Sequence, residues 1–204
     1  MDQVMMIVAA VVSVVALVAL VIWYLRKQNP KAKGAVGRDH GTAKAAAAMR
    51  GFARSNSFRY IAPVRFERSG IQANLDAVVV GYFGILGVVA LGYNGEVYGN
   101  PNDAEWVQVS ETGERVKFPN PITEASADVR ALRDVLNSAG LKRVPVEVVC
   151  VFTNPDASLA LPRSTGHYTM KSFKALLKKE KYLEDSGLDL DKVEQAMKEA
   201  AQQG

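Results

Sequence analysis

Between Val4 and Leu25 the chain runs for 22 residues without a charge, and only Ser13 is polar. At about 1.5 Å per residue a helix of that length reaches roughly 33 Å, enough to cross the hydrocarbon layer of a bilayer. After Gly41 the pattern changes. Thr42 is placed to cap an alanine-rich helix beginning at Ala43. Short β-branched or aromatic runs between turn residues then predict strands at 58–64, 74–82, 85–91, 96–98, 106–109 and 115–118. Asn94-Gly95 is the strongest hairpin signal, since both residues tolerate positive φ. Beyond Asn120-Pro121 the period lengthens to about 3.6. Ala125, Val129, Leu132 and Leu136 share one helical face, which Gly140 ends. Val144 to Phe152 reads as a buried strand. A helix starting at Thr169 or Ser172 turns Phe173, Leu176 and Leu177 inward, and Asp191 with Glu194 resembles the capping box of a last helix.

The order is helix, antiparallel meander, helix, strand, helix, helix. This predicts an α/β (α+β) protein, a mixed sheet flanked by helices and preceded by one transmembrane helix. The expected divisions are a transmembrane helix at 1–25, a basic juxtamembrane linker at 26–42, a folded domain at 43–182 and a C-terminal helix at 183–204. The start, Met1-Asp2-Gln3, carries no positive charge, and the apolar run exceeds the roughly 7–15 residues of a signal peptide. A permanent anchor is therefore expected.

Charge orients it. Residues 26–70 hold 11 Lys or Arg against two acids, a net of +9, whereas residues 71–204 hold 14 basic and 18 acidic residues, a net of −4. Basic residues flanking a span stay on the cytoplasmic side. The expectation is a single-pass protein of the cell membrane, N-terminus outside and domain in the cytoplasm. Arg26, Lys27, Lys31, Lys33 and Arg38 would face anionic lipid headgroups. The single cysteine, Cys150, has no internal partner, which suits a reducing compartment.

Several chemistries drop out. One cysteine and two distant histidines, His40 and His167, lack metal-ligand spacing. No Gly-x-Ser-x-Gly elbow occurs. Gly81, Gly84 and Gly87 lie between strands rather than opening a helix, so they form no dinucleotide loop. Trp106, Tyr93 and Phe118 are expected in the core.

One stretch is more informative. Leu75-Asp76-Ala77-Val78-Val79-Val80, Gly84-Ile85-Leu86, Gly92-Tyr93-Asn94-Gly95-Glu96-Val97-Tyr98-Gly99 and Asn120-Pro121-Ile122 follow one another at characteristic spacing. Together they resemble the nuclease-related domain family, NERD, over about residues 43–180. The resemblance implies a restriction-endonuclease-like fold. In such enzymes an Asp and a Glu hold a divalent metal, and a Lys two residues beyond the Glu assists the attacking water. Asp76 stands at the family's Asp, but the Glu position is Val89 and the Lys position is Leu91. Glu124 stands where a helical Gln is expected, and residues 42–57 contain none of the early-helix Glu.

The expected function is thus a membrane-anchored, catalytically inactive NERD-like module that binds or scaffolds at the cytoplasmic face. No catalytic residue, metal ligand or cofactor is assigned, and Asp76 and Glu124 are vestigial candidates. The alternative is a divergent nuclease using Mg²⁺ on Asp76 and Glu124. The partners expected are the bilayer through residues 4–25, anionic headgroups and an unidentified protein. Nucleic acid is less favoured, because a domain with net −4 offers phosphates no broad attraction.

Overall fold

The computed structural model describes Val12, residues 14–21 and residues 33–202. Val12 and residues 14–21 are helical and exposed. The rest of the expected span, Val4–Leu25, lies outside the described residues, and among those described no helix is long and apolar enough to cross a membrane. The chain divides into two units between Lys33 and Gly34.

The second unit is a mixed α+β structure. Its elements are α1 (Ala43–Ser55), β1 (Arg59–Ile61), β2 (Val64–Arg68), β3 (Ile71–Leu75), β4 (Ala77–Gly81), β5 (Gly84–Leu91), β6 (Gly95–Tyr98), β7 (Glu105–Val109) and β8 (Arg115–Pro119). They continue with α2 (Pro121–Ser138), β9 (Val146–Phe152), β10 (Ala157–Ala160), β11 (His167–Thr169), α3 (Met170–Leu176) and α4 (Leu190–Gln202). A five-stranded sheet has the order β1-β4-β5-β9-β11, a four-stranded sheet the order β10-β6-β7-β8, and β2 pairs with β3. β4 is antiparallel to β5, whereas β9 runs parallel to it with Val89 opposite Cys150 and Leu91 opposite Phe152.

Every residue of β5 is buried. Alternate side chains pack on opposite faces of the sheet. Val89 and Leu91 join Leu132, Leu136, Cys150 and Phe152 in the core beneath α2 and α4. Leu86, Val88 and Ala90 meet Ala45, Met49, Phe173 and Leu176 of α1 and α3 on the other face. An all-apolar strand follows from having helices on both faces. Trp106 is fully buried, Phe118 nearly so, and Tyr93 stacks on Phe118 with ring centroids 4.0 Å apart.

Local signals were realised unevenly. Asn120 caps α2 by accepting from the Ile122 amide, with Pro121 in the first turn, where its missing N–H costs nothing. Thr169 and Ser172 form the capping box of α3. Thr42 makes no side-chain cap, and its hydroxyl donates to the Asp39 carbonyl instead. Asp189, not Asp191, accepts from the Lys192 amide at the start of α4, while Asp191 and Glu194 pair with Arg59. Glu147, the polar residue in β9, is satisfied by Lys181 and the Tyr182 hydroxyl at 2.7 and 2.9 Å.

The Asn94-Gly95 pair forms no hairpin. β5 and β6 belong to different sheets, and Asn94 is buried. Its amide donates to the Gly34 carbonyl and its oxygen accepts from the Val36 amide, both at 2.8 Å. Gln108 donates to the Val36 carbonyl and to the Asn94 side-chain and main-chain oxygens. These bonds tie residues 34–36, expected within the linker, to the sheets. Gln108→Ala would leave several buried acceptors without their donor. We expect it to lower stability by about 1–3 kcal/mol, read in a urea or thermal melt; an unchanged midpoint would show that the amide network does not anchor the segment.

Candidate functional site

Asp76 sits at the break between β3 and β4. Its amide donates to the Val88 carbonyl, and its carboxylate Oδ2 accepts from the Ala90 amide at 2.7 Å. The side chain thus stitches the break to β5 between the positions of Val89 and Leu91. These two residues are each 1% exposed and bring only methyl groups to the positions where the resemblance leads one to expect Glu and Lys.

A small cavity of about 220 Å³ opens beside Asp76, lined by Arg38, Gln72, Asn74, Val89, Glu124 and Asp128. Arg38 Nη2 lies 3.7 Å from Asp76 Oδ2 and donates to the Asn74 carbonyl at 3.4 Å. Of the residues expected to face lipid, Arg38 therefore turns into the domain. Lys33 is exposed, and Arg26, Lys27 and Lys31 lie outside the described residues.

Helix α2 supplies the other two acids. Glu124, in its first turn, lies where a carboxylate favours the helix dipole. Desolvation raises its pKa, with the Arg38 charge opposing. Asp128 follows four residues on and points the same way. It is buried, and its Oδ1 accepts from the Asn74 amide at 3.0 Å. Burial pushes its pKa up to about 6, Asn74 and Arg38 pull it down, and Glu124 and Asp76 add to the rise. Cys150, beneath them, donates from Sγ to the Pro121 carbonyl, and burial pushes its thiol up to about 12. It is no nucleophile at neutral pH.

Sequence reading singled out Asp76 and Glu124 and missed Asp128 and the role of Arg38. An acid between the apolar positions Ala125 and Leu132 was the available signal for Asp128. Arg38 had none, because its role depends on where the preceding segment docks.

The donor set does not fit a bound Mg²⁺. That ion requires oxygen ligands converging in near-octahedral geometry. Val89 and Leu91 offer no donor, the Asp76 carboxylate is committed to the Ala90 amide, and a guanidinium faces the acids. Among the described residues no cluster of three His, Cys, Asp or Glu is arranged to hold a metal.

A larger cavity of about 760 Å³ lies where β9 ends. Ala47, Ala48, Phe152 and Met170 give it apolar walls, Lys44, Lys171 and Lys174 line it, and no acid does. The three lysines are exposed, and none is ion-paired among the described residues.

A family model described as the nuclease-related domain, NERD, matches residues 35–153, more than half of the 204-residue chain. The chain belongs to this family. No curated protein and no solved structure matches it.

Asp128 makes stability depend on pH. Its folded-state pKa lies above the ordinary 3.8, so the folded protein holds that proton more tightly than the unfolded chain. The resulting stabilisation is fully present below about pH 4 and is lost as pH rises through about 6. Asp128→Asn keeps an acceptor for the Asn74 amide and cannot ionise. We expect it to flatten the decline between pH 4 and 7 and to be more stable than wild type at pH 7 by about 1–3 kcal/mol. Urea melts at both pH values check this. A variant as pH-sensitive as wild type would remove Asp128 as the cause.

Proposed function

We propose that this NERD protein has a restriction-endonuclease-like fold that no longer hydrolyses phosphodiesters. It works as a binding or scaffolding module, held at the cytoplasmic face of the cell membrane by Val4–Leu25. The observation that carries the catalytic part is the burial of Val89 and Leu91. Metal-assisted hydrolysis needs carboxylates to hold the ion that lowers the pKa of the attacking water. Valine and leucine can do neither job, and their methyl groups are built into the core beneath α2. Restoring Glu and Lys there would bury two charges, at a cost in stability of several kcal/mol per ion.

The anchor rests on the uncharged stretch and the basic residues that follow it, with the N-terminus outside. Basic residues 26–33 then lie next to anionic headgroups. A metal-dependent nuclease working through Asp76 and Glu124 is the competing reading, and the engagement of Asp76 with Ala90 and Arg38 weighs against it.

A second reading, nucleic acid bound without cutting, is favoured by the lysine-lined cavity at the end of β9. Lysines in a cavity that no acid lines attract phosphates despite the overall negative balance of the domain. Replacing Lys44, Lys171 and Lys174 by Gln is expected, on this reading, to weaken binding of a labelled single strand at least tenfold and to flatten its salt dependence. Unchanged binding would exclude the cavity as its seat.

The direct test of the main reading uses the full chain in detergent micelles, because residues 34–42 are part of the folded unit. Plasmid and single-stranded DNA are incubated with Mg²⁺ or Mn²⁺, with Asp76→Ala in parallel. We expect no cutting by either protein. Cutting by the wild type that disappears in Asp76→Ala would overturn the proposal.

A further inference from the structure

The pocket beside Asp76 has a cation of its own. Arg38 arrives from outside the sheet on residues 34–40, and that segment is held chiefly through its backbone. The Gly92 amide donates to the Arg38 carbonyl at 2.6 Å, the Asn94 side chain bonds residues 34 and 36, and the Ala35 amide donates to Glu114. Gly92 allows the approach, since a Cβ there would collide with the carbonyls of His40 and Arg38. The result is a guanidinium among Asp76, Glu124 and Asp128.

We infer that Arg38 is a built-in counter-cation, and that residues 34–40 form a strap closing this pocket with the chain's own positive charge. The inference follows from the misfit between the pocket and a divalent ion. Three carboxyl groups within reach of one another repel, and an opposite charge among them favours their ionised forms. A guanidinium supplies that charge permanently and needs no octahedral ligand set. It is also incompletely bonded. Its Nε is buried without an acceptor among the described residues, and its ion pair with Asp76 spans 3.7 Å. Charge and the strap's backbone therefore hold it, not a saturated set of hydrogen bonds.

This depends on the reading of the pocket as a former reaction centre only for its meaning, not for its test. The probe is Mn²⁺ alone, with binding to the full-length chain in detergent followed by electron paramagnetic resonance. Arg38→Gln removes the cation and Arg38→Lys keeps it. Gly92→Ala pushes the strap, and Arg38 with it, away from the pocket without replacing Arg38 or any of the three acids. We expect Arg38→Gln and Gly92→Ala to bind Mn²⁺ at least tenfold more tightly than wild type. Arg38→Lys should match wild type, and adding Asp76→Asn to Arg38→Gln should abolish the gain. Circular dichroism confirms that each variant compared is folded. Equal Mn²⁺ binding by wild type and folded Arg38→Gln, or an equal gain in Arg38→Lys, would overturn the inference. Tight wild-type binding together with DNA cutting would instead overturn the proposed function.

Discussion

Both faces of β5 are covered by helices, so every side chain from Gly84 to Leu91 has to be compatible with burial, and the arrangement on either side follows from this. Its apolar alternation supplies one core to α2 and α4 and another to α1 and α3. Its backbone pairs with β4 on one edge and β9 on the other. Where β4 stops short at Asp76, the Asp76 carboxylate takes over and accepts from the Ala90 amide. A buried strand amide without a partner would be costly. Asp76 therefore has a structural use that needs no catalytic partner beside Val89 and Leu91.

The acids around Arg38 show the opposite balance. Asp128 is a buried carboxyl whose pKa is raised, so its ionised form opposes folding, yet it also accepts from the Asn74 amide near the end of β3. Glu124 lies one helical turn earlier and is desolvated in the same direction. Together with Asp76 they would make a strongly negative pocket next to an apolar core. Arg38 offsets this without removing it. The pocket thus pairs three acids and one guanidinium with the hydrocarbon wall of Val89.

Much of the fold was legible in the sequence because it rests on local rules. Asn120-Pro121 starts α2 as a cap and first-turn proline must, and the apolar run at 144–152 becomes β9. Misreadings occurred where a local signal was overridden by distant contacts. Asn94-Gly95 has the chemistry of a hairpin turn, but its amide is consumed by residues 34 and 36. Asp191 and Glu194 have capping-box spacing, but Arg59 draws them into ion pairs. Residues 34–38 look like a glycine-marked tether, and nothing within them tells that Asn94 and Gln108 wait to bind their backbone. Half of the site was invisible for the same reason: Asp76 is recognised by its neighbours in sequence, Arg38 only by its neighbours in space.

Such a division has a consequence for how this chain can change. Substitutions at Val89 and Leu91 are opposed by the core, since two packed apolar side chains would have to give way to charges. Substitutions within residues 34–37 meet less opposition, because that segment's contacts with Asn94, Gln108 and Glu114 are made by its backbone atoms, and the side chains that hold it lie outside it. Strand β5 is committed to packing on both faces, whereas the strap depends on a few hydrogen bonds. Each of these contributes only about 0.5–1.5 kcal/mol net. Of the two sides of the pocket, the strap is therefore the more easily displaced, and the hydrocarbon face of β5 is held by the core.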